Sequence, residues 1–134
     1  MPFVVDNSVV VGWHFTGQKT PYTEAVFDLL ARDMAHVPGL WPLEFSNVVR
    51  KALLSKRINE ARAREIMMFQ ASLPLAVDGV IPIPAENMNL ALRYGLSSYD
   101  AAYLDLALRL RLPIATLDGA LRDAAEAAGI GVVT

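Results

Sequence analysis

The sequence predicts an α/β fold, with one domain over residues 1–134, a mainly parallel central sheet and helices on both faces. Two observations predict it. Short apolar runs of strand length alternate with segments of helix length, and parallel strands need crossover connections of about a dozen residues or more. The chain is also 54% hydrophobic and 19% charged, which excludes intrinsic disorder.

The first third of the chain predicts a strand, a helix and a weaker strand. Residues 2–6 are an apolar run that ends in Asp6 and alternates too little for a half-exposed strand. Thr20 can cap the following helix, and Pro21 suits the first turn of that helix. Residues 36–38 are a weak strand candidate.

The middle third predicts three helices and one strand. One helix covers residues 41–54, and a second runs from its Asn59 cap to about residue 72. Residues 80–83 form a short strand, and their proline places it at a sheet edge or a strand end. Pro84 begins the third helix and Gly95 ends it.

The last third predicts a helix, a strand, a helix and a strand. Ser97 caps a helix that runs to about residue 110, with Asp100 as the acid of a capping box. Residues 112–118 form a strand that ends in an acid. A helix over residues 120–128 and a final strand over residues 131–134 complete the chain.

Composition excludes several kinds of chemistry. With no cysteine and two histidines, the chain cannot form disulfides, thiolate nucleophiles, cysteine zinc sites or a three-histidine zinc site. The net charge of −2 excludes a domain that holds nucleic acid by overall charge, although it permits a local basic patch. We find no export signal and no membrane-spanning stretch, so we expect a soluble cytoplasmic protein. The apolar surplus points to a subunit interface.

Acidic residues occur at comparable topological positions. Asp6 and Asp118 each follow an apolar strand, and ligands bind beyond the carboxyl ends of strands in open parallel sheets. Asp100 and Glu44 lie near the starts of two helices. Clustered carboxylates repel one another, and a divalent metal is their simplest partner. Oxygen ligands without cysteine or histidine suit Mg²⁺ or Mn²⁺.

Neutral polar residues stand close to these acids in sequence. Ser8, Asn47 and Thr116 each lie two or three positions from an acid and can orient a carboxylate or a water. Each acid taken alone also fits ordinary capping chemistry, most clearly Asp100. The four acids together favour a functional site over four separate capping roles.

Four motifs follow one another along essentially the whole chain. They are the strand end around Asp6 and Ser8, residues 43–49 with Glu44 and Asn47, residues 95–104 around Asp100, and residues 115–121 with Thr116 and Asp118. With these four motifs in this order, the chain resembles the PIN-domain family, and within it the VapC-type toxins of bacterial and archaeal toxin–antitoxin pairs.

The resemblance implies a parallel α/β sheet, Mg²⁺ or Mn²⁺ in a carboxylate pocket, endoribonuclease activity, homodimers and inhibition by a small antitoxin. We assign catalytic roles to Asp6, Glu44, Asp100 and Asp118. Asp6, Asp100 and Asp118 are the expected metal ligands, while Glu44 either ligates or orients the attacking water. We expect the antitoxin to insert a basic side chain into this pocket.

Asp105 departs from the family pattern, in which a small or apolar residue is common. It lies five residues from Asp100 and faces another way on the helix. We expect it to pair with Arg109, four residues further along a solvated face.

Half of the basic residues fall in one helix–loop–helix stretch: Arg50, Lys51, Lys56, Arg57, Arg62 and Arg64. They form either a phosphate-binding surface for RNA or a solvated helical hairpin. Four aromatic side chains either stack on unpaired bases or, more often for such residues, pack in the core: Trp13, Trp41, Tyr99 and Tyr103.

Two other functions stay open. An inactive PIN-like domain that binds RNA or protein is the main alternative, although all four acids are present. A phosphatase with an aspartyl nucleophile is less favoured, because Ser8 stands where that mechanism needs a second aspartate.

Overall fold

The computed structural model describes all 134 residues and contains one four-stranded sheet. Its strands are β1 (Phe3–Val5), β2 (Ala35–Val37), β3 (Leu75–Val77) and β4 (Ile114–Ala115). They run in the order β3-β2-β1-β4, and every pair is parallel. This confirms the predicted parallel α/β architecture.

Seven α-helices connect the strands: α1 (Asn7–His14), α2 (Pro21–Leu29), α3 (Trp41–Leu54), α4 (Glu60–Ser72), α5 (Pro84–Tyr94), α6 (Ser98–Leu110) and α7 (Gly119–Ala127). A single 3₁₀ turn covers Thr16–Gln18. Thr20, Asn59 and Ser97 cap their helices through side-chain oxygens, as predicted. The capping box expected at Ser97 is incomplete. The Asp100 backbone N–H donates to Ser97 Oγ, but the Asp100 carboxylate accepts no hydrogen bond from the Ser97 backbone N–H.

Two apolar clusters cover the two faces of the sheet. Successive strand residues point to opposite faces, so Phe3 and Val5 pack with α1, α3 and α4, while Val4 packs with α6 and α7. This arrangement confirms helices on both faces. No helix of the structure is long and apolar enough to cross a membrane.

Helix α1 was not expected, because its three consecutive valines are typical of a strand. Asp6 supplies the cap, since its carboxylate accepts a hydrogen bond from the Val9 backbone N–H at 3.4 Å. Gly12 allows the helix to press against α2. A Cβ atom at this position would lie 2.5 Å from the Thr23 methyl. The helix therefore depends on a long-range contact that no local pattern reveals.

The prediction of a strand over residues 80–83 is wrong. The third strand lies earlier, at Leu75–Val77, directly after Pro74. Residues 80–83 form an exposed loop, in which Ile81 is 86% exposed. Two prolines flank or interrupt this segment, at positions 82 and 84, and proline cannot donate a backbone hydrogen bond to a sheet.

The final strand predicted over residues 131–134 is reduced to a single parallel bridge between Ile114 and Val132. Two backbone hydrogen bonds, from Ile114 to Gly131 and from Val133 to Ile114, tie the segment to β4. Because β4 itself has only two residues, no longer ladder forms.

Candidate active site

Two acids lie at the carboxyl edge of the sheet because β1 and β4 are parallel neighbours. Asp6 follows β1, and its backbone N–H donates to the Ala115 carbonyl at 3.1 Å. Asp118 lies three residues beyond Ala115 and caps α7 by accepting from the Ala120 N–H at 3.1 Å. The order β1-β4 thus brings residues 112 positions apart to one edge.

Asp6 is 5% exposed and is held by hydroxyl groups from both strand ends. The Ser8 hydroxyl donates to its Oδ1 and the Thr116 hydroxyl to its Oδ2. Burial raises the pKa of Asp6; these hydrogen bonds and the one from Val9 oppose the shift. Asp6 makes no salt bridge, so it is a buried carboxyl with no cationic side chain paired to it.

The same hydroxyls also hold the chain after β4. Thr116 Oγ1 accepts from the Asp118 N–H at 2.9 Å, and Ser8 Oγ accepts from the Leu117 N–H at 3.2 Å. Each hydroxyl therefore joins the Asp6 carboxylate to the backbone that presents Asp118. Ser8 and Thr116 therefore lie in positions from which their hydroxyls can orient the Asp6 carboxylate.

Glu44 lies in the first turn of α3 and contacts α6 through one hydrogen bond. The Tyr103 hydroxyl donates to Glu44 Oε1 at 2.6 Å. Burial raises the pKa of Glu44, the charges of Asp100 and Asp6 raise it further, and the hydrogen bond from Tyr103 lowers it. This contact was not expected, because the two residues are 59 positions apart in the chain.

Asp100 lies in the first turn of α6, where Ser97 Oγ accepts from its backbone N–H at 3.0 Å. Its pKa is raised first by burial and then by the charge of Asp118. Asp100 also raises the pKa values of Asp6 and Glu44. Asp100 therefore interacts with each of the other three acids, and none of the four forms a salt bridge.

The donor chemistry of this group fits a hard divalent cation. All the side-chain donors are oxygens, and the buried Asp6 has no positive partner. No group of three acidic or histidine side chains is placed to hold an ion by itself. Mg²⁺ is compatible with that geometry, because it usually keeps several waters and binds through one or two carboxylates.

Asn47 lies on the exposed side of α3, where its Oδ1 accepts from Arg50 at 3.5 Å. No hydrogen bond joins it to Glu44. Tyr103, rather than Asn47, bonds the Glu44 carboxylate. The position of Tyr103 three residues after Asp100 was the only sequence signal for its presence near the site.

The basic residues of the α3–α4 hairpin are exposed, in keeping with either role considered for them: Arg50, Lys51, Lys56, Arg57, Arg62 and Arg64. Arg57 lies over the Phe15 ring at 5.5 Å and donates to Gln18 at 3.4 Å. Arg62 donates to the His14 carbonyl at 3.2 Å. The hairpin is thereby tied to the end of α1 and the 3₁₀ turn.

His14 and the Asp105–Arg109 pair lie outside the acidic group. His14 is buried, and its Nε2 lies 2.6 Å from Gln70 Oε1. The predicted surface pair is confirmed, since Arg109 donates to Asp105 at 2.9 Å; it also donates to Asp78 at 2.6 Å.

Of the four aromatic residues considered for base stacking, Tyr103 is excluded because it is 1% exposed. Trp41 is buried and stacks on Phe45. Trp13 packs against Phe27. Tyr99 is exposed.

Three comparisons with known proteins bear on the family of this chain. The family model of the PIN domain matches residues 3–127. Ribonuclease VapC1 of Mycobacterium tuberculosis is 32% identical over 95 residues, which cover 69% of each chain. The crystal structure of PAE2754 from Pyrobaculum aerophilum superposes with a TM-score of 0.67 at 19% identity, over 99% of this chain and 88% of that one. The chain therefore belongs to the PIN domain family, as a VapC-type member.

Proposed function

We propose that this protein is an Mg²⁺- or Mn²⁺-dependent endoribonuclease and the toxin of a type II toxin–antitoxin pair. The observation that carries the proposal is the buried Asp6 carboxyl, which the Ser8 and Thr116 hydroxyls hold where the parallel strands β1 and β4 end, and which has no cationic partner. The similarity to a protein named as a ribonuclease supports RNA as the substrate.

The residues of the site have different proposed roles. Asp6, Asp100 and Asp118 would hold the metal, which supplies charge neutralisation at the phosphate and activates a water. Glu44 orients the attacking water through its carboxylate. Ser8 and Thr116 hold the Asp6 carboxylate in place.

RNA and an antitoxin are the proposed partners. The exposed basic residues of the α3–α4 hairpin bind the RNA backbone, chiefly through Arg50, Lys51, Lys56 and Arg57. The antitoxin inserts a basic side chain, with arginine best suited because its guanidinium binds carboxylates at two points. We further propose a homodimer that acts in the cytoplasm.

A cleavage assay on structured RNA tests the activity. We expect cleavage with Mg²⁺ or Mn²⁺, none in EDTA, and none by the Asp6→Asn variant. Asp123→Asn is the matched control, because Asp123 is exposed and makes no salt bridge.

Activity that persists in EDTA and copurifies with the protein would overturn the metal dependence. RNA binding by the wild type without cleavage, at saturating Mn²⁺, would favour the inactive binding domain instead.

A further inference from the structure

The hydroxyl of Tyr103 is the only side-chain group that hydrogen-bonds the Glu44 carboxylate. Its donor–acceptor distance to Glu44 Oε1 is 2.6 Å, and Glu44 Oε2 has no protein donor. Asp6, by contrast, is bonded by two hydroxyls and a backbone N–H. Glu44 is thus held by a single hydrogen bond, which comes from a side chain on another helix.

Tyr103 is itself firmly placed. It is 1% exposed and packs in the apolar cluster with Val4, Leu104 and Leu121. Only its hydroxyl reaches a polar partner. Burial and the neighbouring Glu44 raise the pKa of Tyr103 far above its ordinary value, so the hydroxyl keeps its proton and remains a donor.

Helix α6 links two of the acids through this contact. Asp100 and Tyr103 are three residues apart and share a helix face, so α6 carries one acid and fixes another. Glu44 is half-buried at the start of α3 and has three side-chain torsions. Without the contact, its carboxylate is free to turn towards solvent.

We infer that Tyr103 is a positioning residue, which fixes the Glu44 carboxylate within the acidic group and leaves its Oε2 free to orient a water. This inference rests on the proposed nuclease function. It assigns Tyr103 no contact with RNA, because its ring is buried.

The test replaces Tyr103 by phenylalanine, which keeps the ring and removes the hydroxyl. We expect kcat for RNA cleavage to fall about 10- to 100-fold, the usual effect of losing a group that orients a functional carboxylate. KM should change little, since the RNA-binding surface is untouched. Tyr94→Phe is the matched control, because Tyr94 packs against the same apolar cluster as Tyr103 and its hydroxyl bonds none of the four acids.

A double-mutant cycle separates positioning from general damage. If Tyr103 acts through Glu44, Tyr103→Phe should cost little further activity in the Glu44→Gln background. Equal losses in both backgrounds would overturn the inference. Glu44→Asp offers a second route that leaves the buried tyrosine intact. It keeps the charge but shortens the side chain, and we expect a similar fall in kcat.

Crystal structures of the variants give a readout independent of catalysis. Glu44 should leave its position in Tyr103→Phe and keep it in Tyr94→Phe. An unmoved Glu44 with unchanged kcat would overturn the inference. If the wild type cleaves no RNA, the proposed function fails, while the position of Glu44 in the variants still decides whether Tyr103 holds it.

Discussion

Asp6 shows two opposing effects on one side chain. Burial disfavours its charged form, while donors from Ser8, Thr116 and Val9 favour it. The net pKa is raised, so desolvation outweighs the hydrogen bonds. Both hydroxyls can also accept, which allows them to pair with an asparagine amide at this position.

The raised pKa sets the pH dependence of stability. Between the unfolded and folded pKa values of Asp6, the folded state binds more protons than the unfolded state, so stability falls as pH rises through that window. An asparagine side chain at the same position does not titrate. In EDTA, we therefore expect Asp6→Asn to match the wild type at pH 7 or to exceed its free energy of unfolding by about 1 kcal/mol. This advantage should shrink towards pH 4.

Urea unfolding of both proteins at several pH values between 4 and 8 measures the difference. If Asp6→Asn is instead less stable by roughly 1–3 kcal/mol at pH 7, the charge-assisted hydrogen bonds dominate and Asp6 is a structural acid.

At the scale of the elements, the contact between α1 and α2 depends on the absence of a side chain. A Cβ at position 12 would lie 2.5 Å from the Thr23 methyl and 2.9 Å from the Gln18 carbonyl oxygen. Because one neighbour is backbone, the clash cannot be relieved by a rotamer change alone. The helix that carries the Asp6 cap must then shift.

We expect Gly12→Ala to lower the free energy of unfolding by about 1–3 kcal/mol, the usual cost of overpacking. Gly17→Ala is the control, since nothing lies within 4 Å of its added methyl. Denaturant unfolding compares the two. Equal stabilities would show that α1 and α2 separate without cost.

Local signals predicted the elements that local chemistry determines. The caps at Thr20, Asn59 and Ser97, and the Gly95 stop with its positive φ, are close-range features, and α2, α4, α5 and α6 were found from them. Helix α1 and strand β3 were missed, because the first depends on packing at Gly12 and the second is a three-residue edge strand. The candidate acids were selected by their topological positions, whereas the Glu44–Tyr103 bond joins distant residues that no sequence pattern connects.

At the scale of the whole molecule, half of the lysines and arginines lie in the α3–α4 hairpin, although the net charge is only −2. The four acids of the site repel a phosphodiester backbone, whereas the exposed basic residues of the hairpin attract it. If that hairpin binds RNA, its charges release counterions, and affinity depends on salt. A hairpin that is merely solvated makes no such contribution.

The slope of affinity against salt therefore distinguishes the two roles. In the Asp6→Asn background, which prevents cleavage, we expect Arg50→Gln with Lys51→Gln to reduce the slope of log K against log salt by about 1.4. Each phosphate contact on a single strand contributes about 0.7 to this slope, and the double variant removes two such contacts. Arg32→Gln with Arg93→Gln removes the same charge from other exposed positions and should leave the slope unchanged. Binding titrations of one RNA at several salt concentrations measure both. Equal reductions in the two double variants would mean that RNA responds to net charge alone, and that the hairpin is a solvated surface.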